Sequence, residues 1–130
     1  MSTNCEAVYN FLSEEGFRPQ IDKEGDIVFK AEGDTYLICF NESDDDFMAV
    51  RKYIRLDPGL DISVYKLAHD IASDYKVGKC MLLGDDELTL LLAVETLEDM
   101  TSFRKNFERY LIILKEMEGD FAEGYDKLNL

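Results

Sequence analysis

The chain has 130 residues, of which 46% are hydrophobic and 12% aromatic, enough for one domain with a packed core and too apolar for a disordered chain. Its 28 acidic against 14 basic side chains leave a net charge of −14, a field that repels phosphate backbones and anionic bilayers and so excludes ordinary nucleic-acid and membrane-surface partners. Cys5, Cys39 and Cys80 are odd in number, widely spaced and without a Cys/His cluster, so buried free thiols in a reducing cytoplasm are expected, not disulfides or zinc.

The opening MSTNCEAVYN has no basic stretch leading into an apolar one, so no leader is expected, and no run reaches membrane-spanning length. Thr3 and Glu6 stand at capping-box spacing. Cys5, Val8, Tyr9 and Leu12 then recur at helical intervals, with Phe11 widening the face and Gly16 as the stop. Phe17, Pro19 and Ile21 alternate with polar residues, and Pro19, which cannot donate to a ladder, assigns this strand to a sheet edge. Asp22 to Asp26 reads as a hairpin loop around Gly25, and Ile27, Phe29 and Ala31 as the inner face of a second strand. After a tight turn at Gly33-Asp34, the run from Thr35 to Phe40 is apolar on both faces and belongs centrally.

Glu42 to Asp46 is expected as an acidic loop, followed by a fourth strand from Phe47 to Leu56 that Asp57-Pro58-Gly59 ends. Ser63 is the expected cap of a second helix, with Val64, Leu67, Ala68, Ile71, Ala72 and Tyr75 as its stripe. Val77 to Leu83 and Leu88 to Val94 form a further hairpin across Gly84-Asp85-Asp86-Glu87. A last helix begins near Met100 to Ser102 and runs to about Glu118 on Phe103, Phe107, Tyr110, Leu111, Leu114 and Met117. The order α-β-β-β-β-α-β-β-α predicts an α+β, two-layer domain, an antiparallel sheet with helices on one face. The domain is expected over 1–118, with 119–130 as a glycine-broken C-terminal tail that keeps Phe121, Tyr125, Leu128 and Leu130 and docks or frays.

The stretch FLSEEGFRPQIDKEGDIVFKAEGDTY resembles the YbjN-like family, whose fold is akin to type III secretion chaperones. The resemblance is carried by Phe11, Leu12, Glu15 and Gly16 at the helix stop. It continues through Ile21, Asp22, Gly25, Asp26, Ile27, Phe29, Gly33 and Tyr36 in the hairpin. It implies a small acidic protein, often dimeric, in adaptor, chaperone or regulatory work, and offers no catalytic residues to carry over.

Candidate sites are few. Glu42, Asp44, Asp45 and Asp46 lack EF-hand spacing and read as a solvated loop, and Asp85-Asp86-Glu87 as a polar turn. The single histidine, His69, falls off the apolar stripe of its helix and has no nucleophile to serve. Neither Gly25-Asp26 nor Gly84-Asp85 has phosphate-loop spacing. No catalytic, cofactor or metal site is assigned. Tyr110, Ile112 and Ile113 lie in an apolar run that wraps more than one helical turn, and Phe47, Tyr53 and Ile54 lie in a strand interleaved with cations. These six are the candidate partner-binding residues.

The expected function is a non-enzymatic protein-binding module, a chaperone-like adaptor or regulator acting as a homodimer on a polypeptide. The alternatives are an acidic inhibitor or immunity-type protein for a basic partner, and a small-ligand sensor.

Overall fold

The computed structural model describes residues 3–56, 61–84 and 88–128, with only the backbone of Thr3. The turns expected at Asp57-Pro58-Gly59 and Asp85-Asp86-Glu87, the Thr3 cap and Leu130 lie outside these residues. The described residues form three helices and one six-stranded sheet. The elements are α1 (Thr3–Glu14), β1 (Gln20–Ile21), β2 (Ile27–Ala31), β3 (Asp34–Asn41), β4 (Asp44–Arg55), α2 (Ile62–Asp74), β5 (Gly78–Leu83), β6 (Thr89–Leu97) and α3 (Met100–Lys127). The sheet order is β1-β2-β3-β4-β6-β5, every pairing antiparallel. This is the expected α+β fold, with the expected order of elements.

Local chemistry explains the boundaries. At the end of α1, Gly16 takes φ +92°, the Phe17 N–H reaches the Leu12 carbonyl at 2.9 Å and the Gly16 N–H reaches that of Ser13 at 3.2 Å. That pair of bonds is a Schellman cap, which needs a residue without a Cβ. β1 is short and at the edge, as the ring of Pro19 requires. The β2–β3 turn is centred on Glu32 and Gly33, one residue earlier than expected, with both at positive φ (53° and 85°). Two such residues match the twist of a two-residue hairpin.

Three expectations are corrected. The acidic run is mostly strand: β4 begins at Asp44, the β3–β4 turn is closed by Asn41 Oδ1 accepting from the Ser43 N–H at 2.9 Å, and Asp46 O accepts from the Glu98 N–H at 3.0 Å. Solvent on one face tolerates the carboxylates while the backbone keeps its ladder. β6 continues past Val94 to Leu97, because β4 is long enough to pair with it there. Asp61, not Ser63, caps α2: its carboxylate accepts from the Ser63 N–H at 2.9 Å and from its hydroxyl at 2.6 Å.

One continuous core lies between the helices and one face of the sheet. α1 supplies Val8 and Leu12, α2 supplies Val64 and Ile71, and α3 supplies Phe103, Phe107, Leu114 and Met117. They meet Ile27, Phe29, Ile38, Val50 and Leu92 of the sheet. Its centre is aromatic: Phe107 stands 5.5 Å from Phe11, 5.8 Å from Phe29 and 6.0 Å from Phe17, ring centre to ring centre.

α3 runs unbroken through the segment expected as a tail. Its stripe continues from Met117 to the buried Phe121, which stacks on Tyr125 at 5.9 Å. Gly119 lies in open space, whereas Gly124 sits where a Cβ would come 2.5 Å from Leu67 Cδ1, so this glycine lets α3 approach α2. A helical glycine costs about 1 kcal/mol relative to alanine, and burial of Phe121 offsets it. Phe121→Ala should therefore lower unfolding stability by about 3 kcal/mol in urea titration; a loss under about 0.5 kcal/mol would mean that this turn of α3 is not docked.

Candidate functional site

The strand register sorts the six candidate residues onto different surfaces. Alternate residues of β4 face opposite ways, so Met48, Val50, Lys52 and Ile54 point to the helices and Phe47, Ala49, Arg51 and Tyr53 away. Phe47 pairs with Leu97 and Tyr53 with Leu91, both on the helix-free face of the sheet. Ile54 is half-buried beside Leu56, Phe121 and Tyr125 at the far end of α3. Tyr110 is core: it is 8% exposed and its hydroxyl donates to Glu98 at 2.5 Å. Ile113 packs against the core, while Ile112 is 54% exposed. The structure brings Phe47 and Tyr53 to one face and puts the other four elsewhere.

That face mixes apolar and cationic side chains. Tyr53, Met81 and Leu97 are exposed there, and Arg51, Arg55, Lys30 and Lys79 occupy its rows. Glu95, paired with Lys79 at 2.8 Å, is one counter-charge among them, and Asp26, hydrogen-bonded to the Cys39 thiol, is another. Cys39, Ala49, Leu91 and Ala93 are buried on this face although no helix among the described residues covers it. They are short or central, and longer cross-strand neighbours screen them: Arg51 lies opposite Ala93, and Tyr53 opposite Leu91. The Arg51 Nε is buried without a hydrogen-bond partner among the described residues.

On the inner face, Lys52 is 6% exposed, opposite Leu92. Its ammonium lies 2.6 Å from Glu118 of α3 and 3.1 Å from Asp34 of β3, with the Tyr36 ring centre 5.6 Å away. Burial by itself would lower the Lys52 pKa, but the hydrogen bonds to Glu118 and Asp34 outweigh it and the pKa is raised. Nearby, Lys115 of α3 pairs with Glu32 of the β2–β3 turn. No local pattern announces these contacts, because each joins residues distant along the chain.

The carboxylates of Asp22, Glu24 and Asp26 cluster in the β1–β2 loop, their nearest oxygens within 4.8 Å of one another. Asp22 Oδ1 already accepts from the backbone N–H groups of Glu24 at 3.0 Å and Asp26 at 2.9 Å, so it staples the loop. His69 is exposed on α2, off the stripe as expected.

Compared with solved proteins, the fold matches the crystal structure of YbjN from E. coli, a candidate transcription regulator. The TM-score is 0.69 over 95% of this chain and 92% of that one, at 9% identity. The chain has a YbjN-like fold. No protein-family model and no curated protein matches the sequence. No helix among the described residues is long and apolar enough to cross a membrane.

The three thiols are buried and outside disulfides, as expected. Burial pushes the Cys39 thiol up to about 12 and that of Cys80 up to about 11. The folded state therefore holds these protons more tightly than the unfolded chain, where a thiol titrates near about 8.5. The sign follows: their contribution is fully present below that value and is lost as pH rises through the folded values. The unfolding free energy from urea titration should fall between pH 9 and pH 11, by about 1 kcal/mol per pH unit for each thiol. The double substitution Cys39→Ala, Cys80→Ala should flatten that slope. An unchanged slope would show that other groups set the alkaline limit.

Proposed function

We propose that this chain is a non-enzymatic protein-binding module, regulatory or chaperone-like, acting as a homodimer on a polypeptide. The single observation behind this reading is the helix-free sheet face. There, in a chain of net charge −14, exposed Tyr53, Met81 and Leu97 stand among Arg51, Arg55, Lys30 and Lys79. Such a face suits a partner segment with both apolar and acidic side chains. The apolar groups supply affinity and the charges supply choice of partner and register. The YbjN-like fold supports the reading by analogy only.

The test combines light scattering with capture of partners from lysate at low and high salt, for the wild type and Tyr53→Glu. A charge at the centre of an apolar contact typically costs several kcal/mol of binding. Tyr53→Glu should keep the circular-dichroism spectrum and melting transition while abolishing both dimer and capture. Undiminished association in Tyr53→Glu would remove this face from the account. Partners that are basic and fully released by salt would instead support the acidic-inhibitor reading.

A further inference from the structure

The two edges of the sheet are built differently. At one, β1 pairs over two residues only and follows Pro19, whose ring cannot join a ladder. At the other, β5 keeps unbroken register with β6 over Gly78–Leu83 and pairs with no further strand among the described residues. Alternate residues of β5 therefore turn their backbone N–H and C=O groups out of the sheet. Natural edges blunt such a template with proline, a bulge or an outward charge. β5 has no proline and no register shift, and its one charge, Lys79, is drawn back onto β6 by Glu95 at 2.8 Å. Met81 is exposed along this edge, and so is Val77 just before it.

The strand register carries the helix-free face out to this edge. Tyr53 stands opposite Leu91, and Leu91 opposite Met81, so an apolar row crosses β4, β6 and β5 and ends where the edge is open. The row beside it runs Arg51, Ala93, Lys79 and is cationic at both ends. The row on the other side ends at Leu83, opposite Thr89. One more strand would continue all three rows.

We infer that β5 takes an extended segment of a partner polypeptide as an added antiparallel strand, with an acidic side chain beside Lys79 and apolar side chains beside Met81 and Leu83. The inference rests on the protein-binding reading above and adds to it where the segment lies and in what order its side chains come. Main-chain bonds to the edge hold the segment extended, and its alternate side chains, all on the outer face, give the choice of sequence. The acid is selected by charge: Lys79 keeps 49% of its side chain in solvent and shares its row with Arg51. A second copy of this chain suits the edge less well, because β5 contains no acidic residue to set beside Lys79.

The probe is a fluorescently labelled peptide, Thr-Val-Thr-Val-Thr-Glu-Thr, titrated with the full chain and followed by anisotropy. In antiparallel register it lays Glu beside Lys79 and Val beside Met81 and Leu83. Two further peptides keep these side chains but carry N-methyl groups on alternate amides, one on Val and Glu, the other on the Thr residues between them. Only one of these two sets faces β5. One methylated peptide should therefore bind roughly tenfold or more weakly, and the other within about threefold of the parent. Hydrogen exchange should slow at alternate amides of β5 when the parent peptide is bound. Replacing the peptide's Glu by Lys should weaken binding about two- to fivefold, and Lys79→Glu, at a half-exposed position, should reverse that preference. The inference is overturned if the parent peptide does not bind at millimolar concentration or if the two methylated peptides bind alike. It is also overturned if binding is lost as the chain dimerises, which would give the edge to a second copy. Binding that is alike for all three peptides and lost in Tyr53→Glu would overturn strand pairing and leave the sheet-face reading standing.

Discussion

A buried ammonium joins the two layers of this protein. Lys52 sits on the inner face of β4 between the apolar Val50 and Ile54, and holds Glu118 and Asp34 at 2.6 and 3.1 Å. A lone charge there would be strongly disfavoured, so the side chain tolerates burial only while both carboxylates are in reach. That requirement sets where α3 lies relative to β3 and β4. With α3 so placed, Lys115 meets Glu32, Tyr75 donates to Asp120 at 2.5 Å, and Phe121 continues the buried stripe.

The charge of the molecule is unevenly distributed. Acidic side chains dominate the whole, yet Lys30, Arg51, Arg55 and Lys79 all stand on the helix-free face of the sheet. Antiparallel sheets often leave one face to solvent, and there the inner–outer alternation usually runs apolar to polar. Here the outer face keeps Tyr53, Met81, Leu91 and Leu97 among its cations. The proposed binding role rests on the composition of that face more than on the net charge.

How much was legible in the sequence follows from how local each signal is. Gly16, Pro19 and Gly25 act on their own backbone, so the end of α1, the edge strand and the first hairpin read directly. The stripe of α3 was legible to Met117, but Gly119 and Gly124 masked its continuation, since the close approach of Leu67 that explains Gly124 is tertiary. Asp44 to Asp46 read as loop because charge is a poor guide in a half-exposed strand, where the backbone ladder decides. Among the candidate residues, period-two alternation was enough to unite Phe47 with Tyr53. Tyr110 lies on the buried stripe, as its spacing predicts, and became a partner candidate as well only because an apolar run in a helix does not say which side meets the sheet. The Lys52 clamp depends on residues from three elements, and no window along the chain contains it.

If the Lys52 clamp fixes α3 on the sheet, Lys52 and Glu118 must be energetically coupled. The direct measurement is a double-mutant cycle of Lys52→Met and Glu118→Gln, read by urea unfolding. The account predicts non-additivity of about 2 kcal/mol, the single substitutions costing more than their combination implies. Effects that add to within about 0.5 kcal/mol would contradict it and leave the apolar stripe alone to hold the helix.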